Sequence, residues 1–168
     1  MSSSQRGLLL RSWRHYPWWM DALSVAKAPP VMLAASLLAQ RLLTRGAATP
    51  ATTSVLGATV AVAGIAVAAA GIREIRSAGT TLDPMRPGDA TQVVRRGIFR
   101  YSRNPIYLGD ALLLAGYAIH RRDPLALLPA VGFVGAIDLL QIPAEEEALL
   151  GRFGSTYGEY VATVRRWF

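Results

Sequence analysis

The chain has 168 residues, a net charge of +7 and a hydrophobic content of 52%, with the apolar residues gathered into long blocks. It contains no cysteine, and its only histidines are His15 and His120, which excludes a disulfide framework, a thiol nucleophile and a histidine–cysteine metal centre. Two of the blocks reach the length of about 20 residues that a bilayer requires, so the class is a one-domain polytopic membrane protein.

Residues 1–27 mix Arg6, Arg11, Arg14 and Lys27 with Trp13, Tyr16, Trp18 and Trp19. Basic and aromatic residues together suit the headgroup region, so an interfacial N-terminal segment is expected. The short apolar run after Met1 lacks a small-residue cleavage pattern, which argues against a signal peptide.

The first membrane span is expected at residues 28–45, opened by Pro29 and Pro30. Gly46 to Pro50 forms a turn. The second span covers 52–75, where Gly57, Ala61, Gly64 and Ala68 recur at helical spacing and predict close approach by a neighbouring helix. Residues 76–104 form a long polar loop carrying Arg76, Arg86, Arg95, Arg96, Arg100 and Arg103. Loops of this length are usually functional or disordered. Within it, Gln92-Val93-Val94 reads as a short strand-like piece or the start of an interfacial helix.

The third span is expected at 105–120. Asn104 can cap its start, and Pro105 suits the first helical position, where a missing N–H leaves nothing unpaired. His120, Arg121 and Arg122 make a tight polar turn, and Asp123-Pro124 opens a fourth span at 124–142 with a kink expected at Pro129. Pro143 is expected to break that span. Glu145, Glu146 and Glu147 then open a cytosolic helix that Gly154 ends. From Leu149 to Trp167 the apolar residues keep a helical spacing, which predicts a tail lying along the membrane or the protein body.

The fold class is therefore all-α: a membrane bundle of about four transmembrane helices, an interfacial N-terminal segment and a cytosolic C-terminal helix. In this arrangement both termini and the 76–104 loop share one side. That side holds fourteen basic residues when Arg73 is counted with the loop, against four on the other. The positive-inside rule puts it in the cytosol. The positive charge suits anionic lipid, and no separate basic domain supports nucleic-acid binding.

The topology brings Arg103-Asn104-Pro105-Ile106-Tyr107-Leu108-Gly109 to the same face as the glutamate cluster. A helix start offers free N–H groups and a positive dipole end to anionic or polar ligands. Asp110 and Asp138 lie inside the third and fourth spans, roughly 8–9 Å from the cytosolic helix ends at 1.5 Å per residue. Charged groups at such depth are costly and mark a site, a water-filled pocket or an ion pair with an arginine such as Arg103.

Three segments carry a family resemblance: AGTTLDPMRP (78–87), GIFRYSRNPIYLG (97–109) and IPAEEEALLGRFGSTYGEY (142–160). In order and spacing they resemble the isoprenylcysteine carboxyl methyltransferase and phospholipid methyltransferase superfamily. That pattern is Arg-His/Asn-Pro-x-Tyr-x-Gly, a membrane hairpin, a Glu-Glu pair and Phe-Gly-x-x-Tyr. Asn104 stands where eukaryotic members have histidine, which points to a bacterial-type member.

The resemblance implies S-adenosylmethionine (SAM) as cofactor and cytosol-facing methyl transfer to a lipophilic or lipidated acceptor drawn from the bilayer. It implies cofactor-binding roles for Gln92, Val93, Val94, Gly97, Arg103, Asn104, Pro105, Tyr107, Gly109, Glu145 and Glu146. The expected catalytic set is Arg103, Asp110 and Glu146, with no metal. On physical grounds Glu145 and Glu146 suit the SAM ammonium, Arg103 suits its carboxylate, and the Tyr107 ring suits the sulfonium as a cation–π partner. Asp110 suits the proton of an amine acceptor. Two other readings remain open: an NADPH-dependent sterol-reductase-like enzyme, whose membrane core is similar, and a non-enzymatic membrane scaffold.

Overall fold

The structure is a computed structural model that describes residues 28–44, 50–83 and 86–168. The expected interfacial segment 1–27 and most of the turn at 46–50 lie outside the described residues. Six α-helices follow in order among them: α1 (Pro29–Leu43), α2 (Ala51–Ser77), α3 (Pro105–Arg121), α4 (Leu127–Ala136), α5 (Ile142–Phe153) and α6 (Ser155–Thr163). No strand is present among the described residues. Gln92 to Val94 is irregular, neither strand nor helix, and the Gln92 side chain bonds the Ala78 carbonyl at the end of α2.

Two helical segments are long and apolar enough to cross a membrane: Ala51–Ser77 and Pro124–Phe153. The four-span expectation exceeds this, since α1 has 15 residues and α3 has 17. At 27 residues α2 is about 40 Å long, more than the roughly 30 Å of bilayer hydrocarbon. Its final turns, with Arg73, Glu74 and Arg76, can therefore stand clear of the lipid.

Helices α2 and α3 pack through a glycine seam. A Cβ on Gly64 would lie 2.5 Å from the Gly109 carbonyl oxygen, and one on Gly57 would lie 2.6 Å from that of Gly116. Ala61 faces Gly116 and Ala68 faces Gly109. Small residues let the two backbones touch, which is the main source of helix association where lipid removes the hydrophobic drive. The stripe read from the sequence is thus this seam.

The α3–α4 connection is tight. Arg122 takes a left-handed conformation (φ 49°), and Asp123 accepts a hydrogen bond from the Leu125 N–H at 2.9 Å. A buried amide ties three elements together: Gln40 Nε2 of α1 donates to the Leu114 carbonyl of α3 at 3.0 Å and to the Ala126 carbonyl at 2.8 Å. Around it Leu114, Phe133, Ile137 and Ile142 form the main apolar core.

Pro129 lies in the first turn of α4, where its missing N–H has no intrahelical partner. The expectation at Pro143 is corrected. Pro143 does not break the chain's direction. A π-helical turn, Ile137–Gln141, links α4 to α5, and the Ile142 N–H bonds the carbonyl five residues back at Ile137. That wider turn accommodates a proline ring that would clash with the carbonyl four residues earlier in an α-helix. The three glutamates consequently sit within a continuous helical rod rather than at a fresh helix start. Gly154, at φ +53°, ends α5 as expected. Helix α6 stops at Thr163, and residues 164–168 turn back across the bundle instead of continuing a helix to Trp167.

Candidate active site

A cavity of about 360 Å³ opens where α2, α3, α5 and α6 meet the 78–104 loop. The loop is folded rather than loose. Thr91 N donates to Thr80 Oγ1 at 2.8 Å, Gln92 Nε2 bonds the Ala78 carbonyl, and Arg96 pairs with Glu74 at 3.1 Å. Gly97 belongs to this anchoring. Its φ of +58° suits glycine, and a Cβ there would lie 2.6 Å from Glu74 Cδ.

An aromatic cluster forms one wall. Phe99, Tyr157 and Tyr160 are buried together with Val93, Val94 and Leu149 packed against them, and the Tyr160 hydroxyl donates to the Phe99 carbonyl at 2.7 Å. Burial, with the nearby Glu146 carboxylate, pushes the Tyr157 phenol up to about 12, so it stays neutral.

The polar wall comes from α3 and α5. Arg103 is only 9% exposed and reaches Glu146 Oε1 through Nη2 at 2.9 Å. Its Nε and Nη1 are buried without a hydrogen-bond partner. Buried N–H groups on a cation are costly to leave unpaired, and Arg103 is also one of the residues that line the cavity.

Glu146 is also gripped from behind. Arg166 Nη2 lies 2.8 Å from its Oε2, and Arg166 Nη1 reaches Asp138 Oδ1 at 3.1 Å. Glu145 differs. The Tyr107 hydroxyl donates to its Oε1 at 2.5 Å and Gln141 Nε2 donates to the same oxygen at 2.7 Å, with no arginine in ion-pair distance among the described residues. Glu147 is exposed on the far side of α5. Asp110 lines the cavity one turn deeper than Tyr107.

Of the residues expected from the sequence, Gln92, Val93, Val94, Arg103, Asn104, Pro105, Tyr107, Asp110, Glu145 and Glu146 line this one cavity. Gly97 and Gly109 do not; the first packs on Glu74 and the second on Gly64 and Ala68. Asn104 occupies the position before α3 but makes no side-chain cap. Its Nδ2 donates instead to the Arg166 carbonyl at 3.0 Å. The Tyr107 ring packs into the apolar core, with its hydroxyl committed to Glu145. Asp138 pairs with an arginine, but with Arg166 and not with Arg103. Sequence reasoning missed Arg166 and Gln141. Gln141 stands four residues before Glu145, a pairing that helical spacing makes legible. Nothing in the sequence marks Arg166.

An apolar helical bundle thus ends in a cavity lined by an under-satisfied buried cation, Arg103, and by two carboxylates, Glu145 and Asp110, without an ion pair among the described residues. The phospholipid methyltransferase pattern matches residues 52–156, from the first turn of α2 into α6, and the chain belongs to that family of membrane methyltransferases. SAM is the usual methyl donor of the family. Comparisons with curated proteins and with solved structures each return no significant match.

Proposed function

We propose that this protein transfers the methyl group of SAM to a lipophilic acceptor that partitions into the bilayer. The observation that carries the reading is that Arg103, with two buried donors that have no hydrogen-bond partner, lines the same cavity as Glu145. SAM presents a carboxylate and an ammonium on one end, so the two halves of the site match its two charges. When bound, SAM supplies an electrophilic methyl group on a sulfonium. Arg103 holds the carboxylate. Glu145, lacking a cation of its own, holds the ammonium, and Tyr107 and Gln141 fix its orientation. Glu146 is already shared between two arginines and serves to aim Arg103. The aromatic wall excludes water, and alignment of acceptor and methyl group accounts for most of the rate in such a displacement.

Asp110 favours an amine among the possible acceptors. It faces the cavity without a hydrogen bond or ion pair to any described residue. A protonated amine must lose its proton before it can attack, and a carboxylate at this depth can take it. A phospholipid-like acceptor meets the requirement better than an isoprenylcysteine-like carboxylate, which needs no base. The acceptor enters from the lipid side, past Ile72, Arg76 and the Thr80–Asp83 stretch, which are among the residues that line the cavity. SAM enters from the cytosol. Helices α1 and α3 complete four crossings, with both termini and the loop in the cytosol, following the distribution of arginines.

Isothermal titration of the purified protein with SAM and with NADPH tests the cofactor. Binding of SAM alone is expected, and binding of NADPH alone overturns the reading in favour of a reductase. Incubation with methyl-labelled SAM and a total lipid extract then identifies the acceptor, with label in an amine-bearing lipid expected.

A further inference from the structure

We infer that Arg166 and Asp138 are positioning residues for the cofactor site, acting through Glu146 on Arg103. The inference rests on the SAM reading above and extends it to a part of the chain that the matched family region, residues 52–156, leaves partly outside.

The evidence is a continuous network of alternating charge. Arg103 binds Glu146 Oε1 at 2.9 Å. Arg166 takes both oxygens of the same carboxylate, with Nη2 to Oε2 at 2.8 Å and Nε to Oε1 at 3.3 Å. Asp138 Oδ1 then receives Arg166 Nη1 at 3.1 Å and Trp167 Nε1 at 2.9 Å. The backbone repeats the connection. The Arg103 N–H donates to the Arg165 carbonyl at 3.0 Å, while Ser102 Oγ and Asn104 Nδ2 both donate to the Arg166 carbonyl, at 3.3 and 3.0 Å. The segment 164–168 is therefore stitched to the start of α3 on one side and to the π-turn on the other.

Two physical effects follow. The first is geometric. A two-pronged guanidinium grip fixes the plane of a carboxylate. With Glu146 so fixed, Arg103 is held by Nη2 alone, and its Nε and Nη1 are left without a hydrogen-bond partner at the cavity wall. The second is electrostatic. Arg103, Glu146, Arg166 and Asp138 alternate two positive and two negative charges, so Arg166 takes up part of the Glu146 charge that would otherwise fall on Arg103 alone. Without Arg166 the remaining set would carry a net negative charge, and Glu146 would compete with Glu145 for any ligand ammonium. The π-turn organises both glutamates: Asp138 holds Glu146 through Arg166, and Gln141 holds Glu145 directly. Such turns interrupt α-helices most often at functional sites.

The test is SAM affinity by isothermal titration on the full-length protein, with thermal unfolding of the unliganded protein measured alongside. Arg166→Ala should bind SAM about tenfold more weakly, within the coupling range for groups in one ionic network. Arg166→Lys should recover part of the loss, because it restores charge but not the two-pronged grip. Asp138→Asn, a milder change that keeps Arg166 on Glu146, should cost about threefold. The decisive comparison is the double variant Arg103→Ala/Arg166→Ala, which should bind no worse than Arg103→Ala alone. Additive losses would mean that Arg166 merely supports the fold, and they would overturn the inference. Wild-type affinity in Arg166→Ala would overturn it too, as would wild-type affinity in Asp138→Asn should Arg166→Ala fail to fold. If the wild-type protein itself binds no SAM, the cofactor reading falls first and this inference with it.

Discussion

The Tyr107 hydroxyl, on the first turn of α3, donates to Glu145 Oε1 on α5 at 2.5 Å, joining two residues 38 positions apart. The contact couples the two motifs that the sequence separates by a membrane hairpin. Tyr107→Phe removes the donor and leaves Gln141 Nε2 donating to that oxygen. Hydrogen bonds to charged groups contribute about 1.5–3 kcal/mol, so SAM affinity should fall by roughly tenfold to a hundredfold. Titration calorimetry measures it, and unchanged affinity would detach Tyr107 from the cofactor.

The three adjacent glutamates should differ in their effects. Glu145→Ala should weaken SAM binding by about 2–5 kcal/mol, the cost of leaving a desolvated ammonium unpaired. Glu146→Ala should also weaken binding, through loss of the Arg103 contact. Glu147→Ala, at an exposed position, should have little effect. Equal losses at all three positions would reduce the cluster to a general acidic patch.

The glycine seam should govern stability. At Gly64 a methyl group would meet the Gly109 carbonyl oxygen at 2.5 Å, backbone against backbone, so Gly64→Ala forces the helices apart. Overpacking of this kind costs about 1–3 kcal/mol. Gly132→Ala on α4 meets open space and should be neutral. Unfolding in graded denaturing detergent compares the two, and equal midpoints would mean that the seam does not limit stability.

The lipid-side opening has its own readout. Thr81 lines the cavity beside Thr80 and Leu82. Thr81→Trp should raise the acceptor KM or lower kcat while the SAM dissociation constant stays put. The opposite pattern, weaker SAM with unaltered acceptor kinetics, would move this segment to the cofactor side.

Topology can be checked independently of chemistry. Reporter fusions at Phe168 and within the Arg121–Arg122 turn should report opposite sides of the membrane, with Phe168 cytosolic. Matching signals from the two sites would rule out an arrangement in which Pro124–Phe153 crosses the bilayer once between them.

Much of the architecture was legible in the chain itself, because it depends on local chemistry. Runs of apolar residues, proline at helix starts, glycine at the end of α5 and small residues at helical spacing each act within a few turns of backbone. They located α1 to α3, the α3–α4 turn and the α2–α3 seam. The motif residues from Gln92 to Glu146 were likewise visible, and most of them line one cavity.

What the sequence could not decide depends on partners that are remote along the chain. Pro143 reads locally as a helix breaker, yet the π-turn before it carries the helix through. Gly109 reads as part of a ligand motif, yet its carbonyl lies against Gly64. Glu145 and Glu146 read alike as a motif pair, but Tyr107 claims the first and two arginines claim the second, while Glu147 is exposed. Arg166 looks like one of seventeen arginines until residues 164–168 turn back and place it between Glu146 and Asp138. An ion pair is decided by distances of about 3 Å between side chains, and only the packed helices bring residues 103, 138, 146 and 166 that close.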